Sequence, residues 1–248
     1  MQAVILAAGS GQRLNPITAA LPKALIEVDG KPLLEYSLIA LAKSGIKEVI
    51  LTVGFLGEVI QARFGSQYKN LRLEYVVNEQ YGHTGSMYSL SKARNLIKED
   101  ILLIESDLLY EPDALDTVLK SRLGNCVLTA QLSGSGDEVY ICVDPDQRIT
   151  HLGKDIADEY KQKAVGELVG ISKYSEVFLA RLFKRAEEEY ERGTIDRHYE
   201  ECVHQVNREG DPVYALTHPG LLWIEVDNET DLVRAREQIY PKIKKFVG

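Results

Sequence analysis

Four short apolar runs in the first half of the chain, at residues 3–8, 49–53, 73–77 and 101–104, constrain the fold more than any other feature. They are rich in Val, Ile and Leu, the composition of strands covered on both faces. Between them lie stretches of helical spacing. Leu33, Leu34, Ser37, Leu38 and Leu41 form one stripe, closed by Gly45, and Val59, Ile60 and Phe64 form another, closed by Gly65. Alternating strands and helices require parallel pairing through right-handed crossovers, so the spacing predicts a layered α/β fold with a mostly parallel central sheet.

The second half changes character. CVLTAQL, EVYICVD and ELVGISKY read as strands separated by turns such as Asp144-Pro145-Asp146, which favours antiparallel or mixed pairing. The longest helix follows, with Ser175 as its cap, Phe178, Leu179, Leu182, Phe183 and Ala186 as its apolar stripe, and Gly193 as its stop. Further helices are expected over about residues 199–208 and 229–240, the last capped by Asn228 or Thr230. No linker, repeat or low-complexity segment interrupts the 248 residues, which predicts one domain over 1–248.

Bulk properties exclude several function classes. A hydrophobic content of 45% with 27% charged residues is that of an ordinary soluble protein, and the net charge of −8 speaks against a nucleic-acid partner. A few placed Arg and Lys can still hold a small anion inside an acidic protein. Cys126, Cys142 and Cys202 are widely spaced, without metal-ligand spacing, and are expected to be buried thiols. No apolar run approaches the ~20 residues that span a bilayer, and the first strand begins without a signal segment. A cytoplasmic location without membrane insertion is expected. Oligomeric state is left open, a homodimer included.

The first strand ends in LAAGSGQRL. A Gly-x-Gly turn after a strand suggests a dinucleotide loop, but Leu14 stands where the third glycine would be, and no Gly-Lys-Ser/Thr follows to make a Walker loop. What remains is a turn whose bare N–H groups can approach oxyanions, with Arg13 adding a charged fork.

The continuation widens the pattern. LAAGSGQRLNPIT followed by LPKALIEVDGKPLLEY resembles the signature of the nucleotidyltransferases that activate sugar phosphates and amino-alcohol phosphates. The resemblance implies a Rossmann-like three-layer sandwich of the nucleotide-diphospho-sugar transferase type. It also implies an NTP-binding half over about residues 1–110 and an acceptor half over about 111–248. Later stretches, NEQYGHTGSMYSL, LGKDIADEY with GELVGISKYS, HYEECV and LLWIEVDNETDL, resemble the bacterial choline-phosphate cytidylyltransferase branch, with departures at Gly82, His83 and Gly85. On this resemblance Leu6, Ala7, Ala8, Gly9, Gly11, Asn78 and Ser86 are nucleotide-binding and CTP is the donor. A UTP- or dTTP-dependent sugar-1-phosphate enzyme is the alternative, and a non-catalytic nucleotide sensor is the alternative of another class.

Nucleotidyl transfer joins a substrate phosphate oxygen to the α-phosphorus of an NTP while pyrophosphate leaves. Negative charge accumulates between two anions, so catalysis is chiefly positioning and electrostatic stabilisation. Arg13 is expected over the leaving phosphates and Lys23 near the α-phosphate and nucleophile. Such reactions normally use Mg²⁺, a hard ion held by carboxylates and phosphate oxygens. Asp107 and Asp227 stand at the carboxyl ends of strand-like runs, where open α/β sheets bind ligands, and are the expected metal residues. Glu105 and Glu225 are the nearest competitors, on the same sides by strand alternation. A zwitterionic acceptor needs a cation for its phosphate or phosphonate, expected at Lys154, and carboxylates or aromatic faces for its ammonium. Glu167 (costly in an apolar strand unless partnered), Tyr199, Glu200 and Trp223 are the candidates. Several acids against one Trp favour a primary amine such as 2-aminoethylphosphonate, followed by phosphocholine or phosphoethanolamine.

Overall fold

The computed structural model describes residues 1–247. The first half runs β1 (Gln2–Ala7), three short 3-10 turns between Gln12 and Leu25, and a small hairpin of β2 (Glu27–Val28) and β3 (Lys31–Pro32). It continues through α1 (Leu33–Ser44), β4 (Glu48–Val53), α2 (Gly57–Phe64), β5 (Gln67–Tyr68), β6 (Leu71–Val77), α3 (Ser86–Lys92) and β7 (Ile101–Glu105). The second half contains β8 (Leu108–Tyr110), α4 (Asp113–Lys120), β9 (Cys126–Ala130), β10 (Tyr140–Val143), β11 (Ile149–Gly153), α5 (Asp158–Lys161) and β12 (Gly166–Tyr174). It ends with α6 (Glu176–Glu191), α7 (Tyr199–Arg208), β13 (Tyr214–Thr217), β14 (Trp223–Glu225), α8 (Glu229–Arg234), a π turn (Ala235–Ile239) and α9 (Tyr240–Val247).

The four apolar runs are the four parallel strands. They lie side by side in the order β7-β1-β4-β6, with β1 paired in parallel to both β4 and β7. The chain steps outward from β1 to β6 and then returns to β1's other side, so the direction of winding reverses between β1 and β7. Ligands of open α/β sheets bind at that reversal, beyond the carboxyl ends of the strands. Antiparallel β12 extends the sheet from β7 and then forks it. Its later half pairs with β7 and its first two residues with β10, while β9 lines its opposite edge. All nine β12 residues are buried.

Strand alternation divides the core into two layers. Ala3, Ile5 and Ala7 of β1 face α1, α2 and α4, whereas Val4 and Leu6 face α3, α6 and α7. A third cluster joins the chain's beginning to its end: Leu14, Ile26 and Leu33 pack with Leu109, Ile224, Val226, Leu232 and Ile243. Ser175 caps α6 by accepting from the Phe178 N–H, and Asn228 caps α8 through the Asp231 N–H. The final helix runs past the expected stop at Tyr240. The π turn lies just ahead of Pro241, whose ring supplies no N–H to the helix, and helical structure continues through Val247. The three cysteines are buried and unpaired, and no helix among the described residues is long and apolar enough to cross a membrane.

Gly85, one of the departures from the family pattern, has a steric reason. It starts α3 against the backbone of the α6–α7 connection, where its N–H donates to the Ile195 carbonyl at 3.0 Å. A Cβ there would lie 2.0 Å from the Arg197 carbonyl oxygen, whereas one on Gly82 would meet nothing within 4 Å. Gly85→Ala is therefore expected to cost about 1–3 kcal/mol, read as a fall in Tm by thermal denaturation, while Gly82→Ala leaves Tm within about a degree. Equal effects of the two would show that the contact does not hold α3 in place.

Candidate functional site

A cavity of about 330 Å³ opens beyond the carboxyl ends of β1 and β7. Three remote pieces of chain build its charged floor. The first is the connection after β1. Gly11 takes the left-handed conformation (φ 62°), and a Cβ on it would lie 2.9 Å from the Lys23 Cβ, so only glycine lets the two strands of this connection meet. Leu14 and Ile26 are buried in the third core cluster and anchor the connection on either side of Lys23. The second piece is the turn after β7, which carries Asp107. The third is β14 and the two residues after it, where Ile224 and Val226 are buried in the third cluster and the alternate residues Glu225 and Asp227 reach the cavity. β14 pairs with β8, and the Val226 N–H donates to the Asp107 carbonyl at 3.1 Å, which brings the acids together.

Lys23 sits between them. Its ammonium is 2.5 Å from Asp107 Oδ2 and 2.6 Å from Asp227 Oδ1. Burial pulls its pKa down, but the two carboxylates outweigh that and hold it above the ordinary lysine value. Arg13 joins the same network, with Nη2 2.8 Å from Asp227 Oδ1 and Nη1 2.7 Å from Asp137 Oδ2. Burial opposes ionisation of Asp227, and the neighbouring Lys23 and Arg13 keep its pKa below the usual carboxylate range.

The acids exceed the cations. Glu105, Asp107 and Glu225 bring carboxylate oxygens within 4.8 Å of one another, and Asp107 Oδ1 is buried without a hydrogen-bond partner. Burial, then Asp107 and Glu200, push Glu105 up to about 8, and burial with Asp107 and Glu105 holds Glu225 well above its usual value. An orphaned carboxylate oxygen within a cluster of hard oxygen donors fits a Mg²⁺ ion. Of the two acids expected from the sequence, Asp107 belongs to this cluster. Asp227 pairs with Lys23 and Arg13, and Glu105 and Glu225 complete the group.

The other expected residues fall into two sets. Leu6, Ala8, Gly9, Ser86, Lys154, Glu167, Glu200 and Trp223 line the cavity. Lys154 Nζ donates to Asp137 Oδ1 at 2.6 Å. Glu167, 3% exposed, accepts from the Ser133 N–H at 2.7 Å and the Ser133 hydroxyl at 3.2 Å. Burial raises its pKa to about 7 and raises that of Glu200 as well. Ala7, Gly11, Asn78 and Tyr199 stand behind the lining. Asn78 is fully buried and donates to Thr84 and Ser89 Oγ atoms, each at 2.9 Å, fixing the loop that carries Tyr81 and Thr84 to the cavity. Tyr199 is buried in the core, and its hydroxyl donates to Glu105 Oε1 at 2.8 Å. Sequence reasoning did not single out Ser133, Asp137, Glu138 or His198, which also line the cavity. The acids and serines of SGSGDE carry no spacing that marks them apart from an ordinary loop.

Comparison with known proteins agrees with this architecture. Over 97% of its length the chain is 29% identical to the CMP-5'-(3-aminopropyl)phosphonate synthase of Streptomyces rubellomurinus, of which it covers 39%. It is 40% identical over 101 residues to the choline-phosphate cytidylyltransferase of Streptococcus pneumoniae, covering 41% of each. The chain thus spans about two fifths of the length of these curated relatives. The structure of the inositol-1-phosphate CTP transferase from T. maritima superposes with a TM-score of 0.80 at 24% identity, over 99% of this chain and 95% of that one. That of the CTP:phosphocholine cytidylyltransferase from Streptococcus pneumoniae superposes with a TM-score of 0.76 at 24% identity, over 95% and 97%. At such identities the superpositions speak for the fold. Residues 2–152, which carry the glycine turn, Arg13, Lys23 and Asp107, match the model of the nucleotidyl transferase family, and the chain belongs to that family.

Proposed function

We propose that the protein transfers CMP from CTP to a small zwitterionic acceptor, an aminoalkylphosphonate such as 2-aminoethylphosphonate or an amino-alcohol phosphate, and releases pyrophosphate. One observation carries the reading. A single cavity holds three cations suited to phosphates, Arg13, Lys23 and Lys154, together with the buried carboxylates Glu167 and Glu200, neither of which forms an ion pair among the described residues. The half before about residue 110 takes the triphosphate, and the remainder takes the acceptor. The names of the phosphonate synthase and the choline-phosphate cytidylyltransferase support cytidine as the base.

In this reading an acceptor oxygen attacks the α-phosphorus, the bond to the bridging oxygen of pyrophosphate breaks, and that oxygen takes the electron pair. Lys23 stabilises charge at the reacting phosphate, and Arg13 stabilises it on the leaving pyrophosphate. Asp107 and Asp227, with Glu105 and Glu225 beside them, would hold Mg²⁺, whose charge would offset that of the phosphate oxygens, and Asp227 would then share its carboxylate with Lys23 and Arg13. Lys154 holds the acceptor's anionic end. Glu167 and Glu200 receive its ammonium, whose three N–H donors suit carboxylates better than the few rings available, chiefly those of Tyr81 and Trp223. Tyr199 reaches the acceptor side only through Glu105.

Pyrophosphate release, measured for each NTP against a panel of acceptors, tests the reading. CTP with a primary-amine phosphonate or phosphate is expected to lead, and a strong preference for UTP or dTTP with a hexose 1-phosphate would overturn the donor and acceptor together. Lys23→Ala is expected to lower kcat by about 10²–10³-fold, with circular dichroism confirming the fold. Glu167 supplies a pH signature. Its raised pKa means that the free protein favours the protonated acid, so its contribution to stability is full below the ordinary carboxylate value and is lost as pH climbs through about 7. An ammonium needs the ionised form, so the acceptor's KM is expected to fall between pH 6 and 8. In Glu167→Gln that slope flattens and KM at pH 8 rises about 10–100-fold, while an unchanged KM profile would remove Glu167 from the acceptor site.

A further inference from the structure

The loop over residues 131–138, between β9 and β10, lies across the cavity with its polar groups already engaged. Asp137 bridges two cations from separate parts of the chain, with one oxygen 2.7 Å from Arg13 Nη1 and the other 2.6 Å from Lys154 Nζ. Four residues earlier, Ser133 gives its N–H to one oxygen of Glu167 and its hydroxyl to the other. The loop therefore presents donors to a carboxylate at one end and an anion to cations at the other. Donors at one end and an anion at the other are the hydrogen-bonding pattern, without the positive charge, of an ammonium linked to a phosphonate or phosphate.

We propose that the 133–137 loop is an internal mimic of the zwitterionic acceptor, occupying the acceptor's place in the free protein and withdrawing when the acceptor binds. The proposal rests on the acceptor assignment of Lys154 and Glu167 made above, and adds that the chain competes with its own substrate.

Three features make this loop the part that moves. Residues 131–136 are exposed, whereas the other carboxylate on Arg13, Asp227, is held just beyond a strand end. Gly134 (φ 71°) and Gly136 (φ 84°) flank Ser135 in left-handed conformations, and a Cβ on either would meet nothing within 4 Å. They serve backbone freedom, not close packing. The clasp itself is weak. Arg13 and Lys154 side chains are 57% and 48% exposed, and such half-exposed ion pairs yield readily to a multiply charged ligand.

Two measurements on the full chain test the proposal. The first is amide hydrogen exchange at residues 131–138 without ligand. Asp137→Asn is expected to speed exchange at Ser133 about 3–10-fold, because the clasp that keeps the loop on Glu167 is halved. Exchange no faster than in the wild type overturns the clasp whatever the acceptor is. The second is calorimetric binding of 2-aminoethylphosphonate, phosphocholine and inorganic phosphate. Asp137→Asn is expected to bind the primary-amine zwitterion about 3–10-fold more tightly than the wild type, since the competent open form is more populated, and the ligand is expected to speed loop exchange in the wild type. Weaker binding by Asp137→Asn, or loop protection by the ligand, would make Asp137 an ordinary ligand contact and overturn the mimicry. If neither protein binds any zwitterion while the variant loop still opens faster, the acceptor reading fails and the mimicry with it.

Discussion

The Lys23 ammonium between Asp107 and Asp227 is the contact on which the site depends. The three residues come from the beginning, the middle and the end of the chain, and nothing local would keep them together. Buried like charges left alone would repel, and an unpaired buried ammonium would lose its proton or its place. The third core cluster resolves this by packing. Leu14 and Ile26 from the first connection, Leu109 of β8, Ile224 of β14 and Val226 just after it share one apolar volume. Each apolar residue of β14 buried there turns an acid toward the cavity. The charged floor is thus a consequence of strand alternation, and the apolar burial that stabilises the junction of the chain's two ends also sets the distances between the charges.

Even with Lys23 and Arg13 in place, the floor carries more acid than base. Glu105 and Glu225 answer the mismatch by favouring their protonated forms, and Asp107 keeps one oxygen without a partner. A site left in this condition costs stability that a better-paired core would retain. The excess has a use only where cations and polyanions arrive together. In the proposed function a metal–triphosphate would bring positive charge for the carboxylates and negative charge for Arg13 and Lys23, and both mismatches would relax on binding. The same reasoning applies on the acceptor side, where Glu167 and Glu200 are buried acids next to a cation.

Much of this was legible in the sequence, and the parts that were not share a cause. The four parallel strands, α1, α2, α6 and their stops follow from apolar spacing, because each buries a face whose period is set by its own backbone. The glycine turn, Arg13, Lys23 and the acids after β7 and β14 drew notice mainly through the family resemblance of their motifs, and the structure gathers Gly9, Arg13, Lys23, Asp107 and Asp227 at one cavity. β11, β13 and the β8–β14 pair were not expected, being short segments, and β13 and β14 pair with strands about ninety and more than a hundred positions earlier. Tyr199 and Asn78 were expected at the surface of the site and lie one layer behind it. Spacing places a residue on a helix or loop, but whether its polar tip reaches a ligand or a neighbouring carboxylate depends on packing between elements. The partner of Tyr199, Glu105, lies 94 residues away. Asp137 was invisible for the converse reason, since its role comes wholly from the cations it meets.

The fork in the sheet joins these observations. At one end β12 pairs with β7, next to the winding reversal where the triphosphate is expected; at the other it pairs with β10 and carries Glu167, where the acceptor is expected. One continuous buried strand therefore links the two regions, which in the proposed function would keep donor and acceptor at a fixed spacing. Rigid spacing of this kind suits in-line attack, which tolerates little error in the approach of nucleophile to phosphorus. Substrates must nevertheless enter a cavity that strands cannot open. The glycine-containing loop joining β9 to β10, the two strands that border Glu167, lines that cavity without belonging to the sheet, and it is the connection that the proposed mimicry would move.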